Sequence, residues 1–134
     1  MHYAGVGCEM DSIMKIFARH GIPVVEHKVH GLFGKYKSRF LGTSGSLAMR
    51  SFHDTKNFNS GEGGAPLIDY RTFAERADFI WQKGTSRSRF FRGQVDKYSW
   101  VDKGSSFLPS DLLPAYLYLQ FEICREMQQI RKGI

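Results

Sequence analysis

The first apolar residues of the chain follow the period of a helix and then that of a strand. A helix is predicted for residues 9–20, because apolar side chains recur there on one helix face, at Met10, Ile13, Met14 and Phe17. Gly21 lies where such a helix would end. Residues 22–26 then contain two valines and no polar alternation. Such a run is typical of a strand that is buried on both faces of a parallel sheet.

The next part of the chain predicts two further strands. Residues 31–46 are rich in glycine, lysine, serine and arginine and read as a loop that could hold a small hairpin around residues 35–39. Strands are predicted for residues 47–52 and 65–68. Pro66 cannot donate a ladder hydrogen bond, so the second of these strands is expected at a sheet edge or locally broken.

The C-terminal half predicts two helices around an aperiodic segment. A helix is predicted for residues 71–83 and ends at Gly84. Residues 85–106 show no period, and such long loops are usually functional or disordered. Apolar residues then lie on one face from 110 to 131, but Pro114 would remove a helical hydrogen bond, so this helix is expected to begin later than its pattern suggests.

The order of elements predicts the fold class. Helix, tight turn and buried strand form half of an α/β unit, and the whole order α-β-β-β-α-α resembles a slice of a larger α/β domain with a mostly parallel sheet. We therefore expect one segment, residues 1–134, without a complete second domain. Ligands of open α/β sheets gather at the carboxyl ends of the strands, which draws attention to Glu26, His27, Lys28 and His30.

Composition is that of an ordinary globular protein. The 134 residues are 42% hydrophobic and 24% charged. No apolar run approaches the roughly 18 residues of a membrane span, and the first residues lack the pattern of a secretory signal. Cys8 and Cys124 show neither paired nor metal-ligand spacing, which is typical of a cytoplasmic protein.

The net charge of +6 raises the possibility of an anionic ligand. Arg87, Arg89 and Arg92 flank two phenylalanines, and Lys97 follows them. These side chains could bind phosphates and stack on bases. A small phosphate or diphosphate would use the same residues, and no nucleic-acid-binding motif accompanies them.

Lys56 is the candidate for covalent chemistry. It follows the apolar segment 47–52 and precedes the glycine-rich run 61–64. An amine there could be held from one side and reached from the other, which suits a lysine that forms a Schiff base with a carbonyl. The alternative is a strand that ends in a polar turn with a solvated lysine. His53 is interpreted as structural, because adjacent strand residues point to opposite faces.

Several segments together resemble the pyridoxal-phosphate-dependent sugar aminotransferases of the DegT/DnrJ/EryC1 type. They are HYAGV (2–6), CEMD (8–11), VVE (24–26), FHDTKN (52–57), GEGG (61–64) and RGQVDKYSW (92–100). The resemblance implies part of the large domain of a fold-type I transferase, a three-layer α/β/α structure. It also implies a transaminase that aminates a 4-keto-6-deoxy sugar nucleotide with glutamate as the amino donor, using pyridoxal 5'-phosphate.

The resemblance assigns roles to individual residues. Lys56 matches the lysine that binds the cofactor's aldehyde and later carries the proton between substrate carbon and cofactor. Ser51 matches a ligand of the cofactor phosphate, and His30 a residue that touches the ring hydroxyl. Ser106 lies near a phosphate contact that a neighbouring subunit supplies in relatives. Five residues of the 87–100 loop are expected near the sugar nucleotide: Arg87, Arg89, Arg92, Lys97 and Tyr98.

The sequence departs from the family pattern at His27. The family places there an aspartate that binds the pyridine nitrogen and keeps it protonated. An imidazole could share a hydrogen bond, but a charged one would disfavour the pyridinium. Lys28 adds a second basic side chain where the family has a small residue.

The resemblance covers only the middle third of the family's polypeptide. We therefore expect a truncated or degenerate member that forms a homodimer or associates with complementary segments. A non-catalytic fragment that acts as a binding or oligomerising module is the alternative, and an anion or nucleic-acid binder is a weaker one.

Overall fold

The structure, a computed structural model, describes residues 1–133 and consists of short strands and helices. The strands are β1 (Val25–His27), β2 (Lys35–Tyr36), β3 (Arg39–Phe40), β4 (Leu47–Ser51) and β5 (Gly64–Ile68). The helices are α1 (Met10–Arg19), α2 (Arg71–Trp81), α3 (Arg87–Phe91), α4 (Leu112–Glu122) and α5 (Cys124–Lys132), and a 3-10 turn spans Tyr3–Gly5.

A parallel strand pair lies at the centre of the sheet. β1 pairs with β4 in parallel, with Glu26 opposite Ala48. β5 lies on the other side of β4, so the sheet order is β1-β4-β5. Pro66 is therefore in an edge strand, which confirms one of the two positions expected for it. β2 and β3 form the small antiparallel hairpin that the loop was expected to hold.

The chain divides into two units: one comprises Met1–Leu67 and Pro109–Ile134, and the other Ile68–Leu108. The core of the first unit contains Phe58, Leu41, Met10 and Ala48, each at most 3% exposed. Phe58 packs against Phe33 and Phe121, with ring centroids 6.1 and 5.9 Å away. These contacts tie helix α4 to the segment that follows β4. No helix within residues 1–133 has both the length and the apolar composition to cross a bilayer.

The second unit is held together by a close approach of two backbone segments. A Cβ on Gly84 would lie 2.0 Å from the carbonyl oxygen of Asp102, and the φ angle of Gly84 is +75°. Only glycine fits such a position. Gly84 also accepts two amides, from Val101 and Asp102, on its carbonyl oxygen. Gly84, where the preceding helix was predicted to end, thus also allows two backbone segments to pack closely.

Three expectations about elements are wrong in detail. The segment 85–106, which shows no period in the sequence, does contain regular structure: helix α3 and an isolated bridge between Thr85 and Trp100. The strand predicted to be buried on both faces leaves Val25 52% exposed and buries Glu26 instead. The single helix predicted for residues 110–131 is two helices.

The break between α4 and α5 lies at Ile123, whose φ and ψ of −107° and 12° are not helical. The apolar spacing continues through this residue, so a period alone does not reveal the break. The late start expected for the same helix is also not observed, because α4 begins at Leu112, the first residue of the apolar pattern. Pro114 is then in the first turn, where its missing N–H costs no hydrogen bond.

Candidate active site

The turn that carries Lys56 begins directly after β4. The amide of Lys56 donates to the carbonyl oxygen of His53 at 2.9 Å, and its amine donates to the hydroxyl of Thr55 at 3.0 Å. His53 Nδ1 lies 2.7 Å from Asp54 Oδ1 and 3.1 Å from Thr55 Oγ1. His53 thus bonds to its neighbours in the turn that presents Lys56.

The turn is anchored on its far side by buried packing. Phe58, two residues beyond Lys56, has no solvent exposure. The side chain of Gln120, on α4, bonds to both backbone groups of Asn59: its Nε2 donates to the carbonyl oxygen at 2.6 Å and its Oε1 accepts from the amide at 3.2 Å. Lys56 itself is half-buried. The turn that carries Lys56 is therefore anchored on one side, and the reactivity expected of this lysine stays a prediction.

Lys56 and His30 line one cavity of about 200 Å³. The remaining lining residues are Ala4, Val29, Arg50, Thr55 and Asn57. The volume is below the 300–1,000 Å³ that is usual for pockets enclosing a drug-sized ligand. The cavity therefore suits a small molecule or one end of a larger one.

Of the charged residues that line the cavity, Arg50 is the one that the sequence analysis did not identify. Its side chain is buried, with 7% of the residue exposed. Within residues 1–133, no group accepts a hydrogen bond from its Nε or Nη1. Burial lowers the pKa of the Arg50 guanidinium to about 10. The signal was present in the strand period, since Arg50 falls on the same face of β4 as the buried Ala48.

Ser51 lies on the opposite face of β4 from Arg50 and is not among the lining residues of the cavity. Its hydroxyl oxygen accepts the amide of His53 at 3.2 Å. A hydroxyl can accept and donate together, so the Ser51 proton stays available for a further acceptor.

A buried carboxylate organises the end of β1. Glu26 is 3% exposed and accepts the backbone amides of Gly42, Ser44 and Gly45 at 2.5–2.8 Å. It also lies 2.8 Å from Nε2 of the buried His2. Burial alone would raise the pKa of Glu26, but the hydrogen bonds from Gly45, His2 and the other amides outweigh it and lower the pKa. The loop that precedes β4 is thereby bound to β1.

Two further basic side chains flank Glu26. Lys28 is 8% exposed and donates to the carbonyl oxygen of Leu41 at 2.7 Å. Burial and the charge of Arg50 lower the pKa of Lys28, and Glu26 opposes them. His27 Nδ1 is buried, and no described residue bonds to it. Lys28 and Arg50 are therefore two buried cations close to each other, and Glu26 is the carboxylate near Lys28.

The second unit contains an open cavity of about 850 Å³ that Arg89 and Arg92 line. Both arginines already have carboxylate partners: Arg89 pairs with Glu75, and Arg92 Nη2 lies 3.4 Å from Asp78 Oδ2. These pairs reduce the attraction of this surface for a polynucleotide, because much of the positive charge is already compensated. The guanidinium carbon of Arg87 lies 5.0 Å from the ring centroid of Phe91 instead.

The other residues predicted in this unit are exposed. Tyr98 packs its ring edge against Phe90 at a centroid distance of 5.8 Å. Lys97 and Ser106 are both exposed, and Ser106 forms a bridge with Gln82. The structure thus brings Arg89 and Arg92 to one cavity and places Lys97 and Ser106 outside the residues that line it.

The comparison with protein families decides the ancestry of the chain. The model of the DegT/DnrJ/EryC1/StrS aminotransferase family matches residues 1–134. The chain belongs to this family. An uncharacterized protein from Methanocaldococcus jannaschii is 39% identical over 137 residues, covering 100% of the chain and 36% of that protein. The spore coat polysaccharide biosynthesis protein SpsC from Bacillus subtilis is 33% identical, covering 100% of the chain and 35% of that protein.

Solved aminotransferase structures confirm the fold class. The crystal structure of DesI in the presence of its TDP-sugar product is 25% identical, with a TM-score of 0.77 over 93% of the chain and 30% of DesI. The prediction of an α/β segment from a fold-type I transferase is therefore confirmed. The chain spans about a third of the length of the relatives that it matches.

Aminotransferases of this family use pyridoxal 5'-phosphate, and the residues of the cavity fit such a group. It offers a primary amine at Lys56, an imidazole at His30 and an unpaired guanidinium at Arg50. His27, whose buried Nδ1 bonds to no described residue, is not among the residues that line this cavity. The fit differs in two respects from the pattern that the resemblance implies, because His27 replaces a carboxylate and Ser51 is not among the residues that line the cavity.

Proposed function

We propose that this chain forms the cofactor-lysine segment of a pyridoxal-phosphate-dependent transaminase. Its substrate would be a 4-keto-6-deoxy sugar nucleotide and its amino donor glutamate. The product expected from the sequence resemblance is dTDP-4-amino-4,6-dideoxygalactose. The observation that carries the proposal is the shared cavity of Lys56 and His30, in a chain of this family.

The relatives support a sugar substrate. SpsC takes part in the biosynthesis of a polysaccharide, and DesI is described with a TDP-sugar product. Members of the family act on sugar nucleotides with an amino donor, usually as dimers. For this chain we propose a homodimer or association with complementary segments.

Each residue of the first unit has a proposed task. Lys56 would bind the cofactor covalently and then carry a proton to and from the substrate carbon, for which its half-buried amine is suited. His30 would donate to or accept from the ring hydroxyl. Ser51 would donate its hydroxyl proton to the phosphate, which would have to reach beyond the cavity, because Ser51 is not among its lining residues. The cofactor supplies an electron sink when it is bound, and His27 would bond to the ring nitrogen.

The second unit would recognise the nucleotide. We propose Arg87, Arg89 and Arg92, with Lys97 and Tyr98, as contacts for its phosphates and base. The support is the 850 Å³ cavity that two of these arginines line. Because Glu75 and Asp78 already pair with them, an entering diphosphate would have to displace these carboxylates. Ser106 is proposed as a phosphate contact offered to a second copy.

The first test is covalent attachment of the cofactor. The chain is mixed with pyridoxal 5'-phosphate, reduced with borohydride and digested, and the labelled peptide is located by mass spectrometry. We expect the label on Lys56 and its loss in Lys56→Ala. The exposed Lys83 provides the matched control, since Lys83→Ala should leave the labelling of Lys56 unchanged. Labelling spread evenly over exposed lysines would contradict the proposal.

A separate test concerns turnover. Glutamate and a 4-keto-6-deoxy sugar nucleotide are supplied, and formation of 2-oxoglutarate is measured with and without complementary family segments. Activity that depends on Lys56 supports the proposal. Labelling of Lys56 without any turnover in either case would favour the second candidate, a non-catalytic oligomerising module. The apolar exposure of α4, where Leu112 is 80% and Leu119 is 62% exposed, supports that candidate.

A further inference from the structure

The cavity that Lys56 lines also contains a buried cation, Arg50, two of whose nitrogens have no hydrogen-bond acceptor among the described residues. Arg50 is 7% exposed and lines the cavity together with Lys56. A guanidinium has five N–H donors and no acceptor. Nothing within residues 1–133 accepts from its Nε and Nη1.

Such an arrangement is costly when no ligand is present. Buried polar groups are nearly always hydrogen-bonded, and a buried charge without a partner is strongly disfavoured. The Phe52 ring, whose centroid is 5.9 Å from the guanidinium carbon, offers only a weak contact with the cation. A guanidinium at a cavity wall whose nitrogens lack hydrogen-bond acceptors is therefore expected to have a role other than stabilising the fold.

The surrounding charge also favours an anion. Lys28 adds a second buried cation next to Arg50, and its own amine is already bonded to Leu41. The carboxylate of Glu26 is occupied by three amides and by His2. The buried carboxylate near Lys28 thus has its oxygens already used, and it is not among the groups shown to act on Arg50.

We propose that Arg50 binds an oxyanion, a carboxylate or a phosphate, inside the cavity that presents Lys56. Nε and one Nη of a guanidinium form a fork that matches two oxygens of such a group. The amine of Lys56 can react with a carbonyl in the same cavity. The ligand class is therefore a small molecule that carries an oxyanion and a carbonyl, such as a 2-oxo acid or an aldehyde phosphate. Oxyanion binding at Arg50 does not depend on covalent chemistry at Lys56.

The test is thermal unfolding and calorimetric titration of the 134-residue chain without cofactor, with inorganic phosphate in one arm and 2-oxoglutarate in the other. A ligand that binds only the folded state raises Tm with concentration, by a few degrees at about ten times its Kd. We expect Arg50→Gln to weaken binding at least about tenfold, the factor that loss of a charge-assisted hydrogen bond of roughly 1.4 kcal/mol gives. Arg50→Lys should weaken it less, because it keeps the charge and loses the fork.

The two arms distinguish the source of the oxyanion. Binding of phosphate alone assigns the site to a phosphate group, and preferential binding of 2-oxoglutarate assigns it to an amino or oxo acid. Lys15→Gln, an exposed lysine on α1, controls for a general loss of charge and should bind like the original chain. Equal binding of both ligands by Arg50→Gln and the original chain would overturn the proposal, as would no binding in either arm.

A second measurement needs no variant and so does not depend on the folding of Arg50→Gln. Butanedione modifies accessible arginines, and the extent at each site is read by mass spectrometry. The bound oxyanion should protect Arg50 and leave Arg39 unaffected, since the Arg39 side chain is 58% exposed outside the cavity. Equal modification of Arg50 with and without saturating phosphate or 2-oxoglutarate would also overturn the proposal.

Discussion

At the scale of single residues, buried charge is concentrated around the ends of β1 and β4. Glu26, Lys28 and Arg50 are all less than 9% exposed. Glu26 is fully bonded, Lys28 has one acceptor, and Arg50 leaves two nitrogens without one. Glu26 and Lys28, whose hydrogen bonds are made within the chain, are therefore expected to stabilise the fold. Arg50, which leaves two nitrogens without an acceptor, is the residue available to a ligand.

Glu26 supports a prediction about stability against acid. Glu26→Gln should lower the free energy of unfolding at neutral pH by about 1–3 kcal/mol, because the charge-assisted bonds to three amides and His2 are weakened. The pKa of Glu26 is lower than its ordinary value of 4.5 in the folded chain. Its ionised form therefore stabilises the fold above pH 4.5, and this contribution is lost as the pH falls through the folded pKa.

The measurement is urea unfolding as a function of pH. The difference between the original chain and Glu26→Gln should be largest near neutral pH and shrink in acid. The exposed Glu122 provides a control, since Glu122→Gln is expected to change stability by less than about 0.5 kcal/mol. A difference between Glu26→Gln and the original chain that stays constant down to strongly acidic pH would show that Glu26 ionisation is not involved.

At the scale of elements, helix α4 anchors the turn that carries Lys56. Its Gln120 bonds to both backbone groups of Asn59, and its Phe121 packs on Phe52 and Phe58. The helix comes about sixty residues after the turn in the sequence, with a separation of 61 between Asn59 and Gln120. The presentation of Lys56 thus depends on a contact between distant elements.

Gln120→Ala tests this dependence. Two hydrogen bonds to a partly buried backbone are lost, so stability should fall by about 1–3 kcal/mol, while alanine keeps the helical propensity of the site. Amide hydrogen exchange should increase around residues 57–61. Gln129→Ala, an exposed change on α5, is the matched control. Unchanged exchange at residues 57–61 in Gln120→Ala would mean that packing alone holds the turn.

At the scale of the whole molecule, much apolar surface is exposed in the described chain. On α4, Leu112, Tyr118 and Leu119 are 80%, 64% and 62% exposed. Exposed apolar patches mark interaction sites or aggregation, and members of the family usually act as dimers. We therefore propose a second copy of the chain as the partner.

Sedimentation equilibrium should show that the isolated chain self-associates. Leu119→Glu should weaken the association, because it places a charge in the apolar surface. Gln129→Glu adds the same charge on α5 and should have little effect. A stable monomer at every accessible concentration would contradict this prediction and the oligomerising-module candidate with it.

The sequence predicts which helices and strands form better than it predicts the residues at which they begin and end. The alternation of periods predicts α1, β4, β5 and α2, because burial of one face imposes a period on the chain. It does not predict the break at Ile123, which leaves the spacing unchanged, or the exposure of Val25, which depends on what covers the sheet. The glycine at position 84 marks the end of α2, but the approach of Asp102 to it is a tertiary contact.

The same division between sequence and tertiary structure applies to the candidate site. The sequence by itself determined the family and marked Lys56 as the candidate for covalent chemistry, because both rest on residue order and on the local chemistry of an amine after a strand. Only the tertiary structure decided that Lys56, His30 and Arg50 share a cavity, that Ser51 lies on the other face of β4, and that Arg50 is left without an acceptor. Burial and hydrogen-bond satisfaction depend on residues far apart in the chain, so no local pattern contains them.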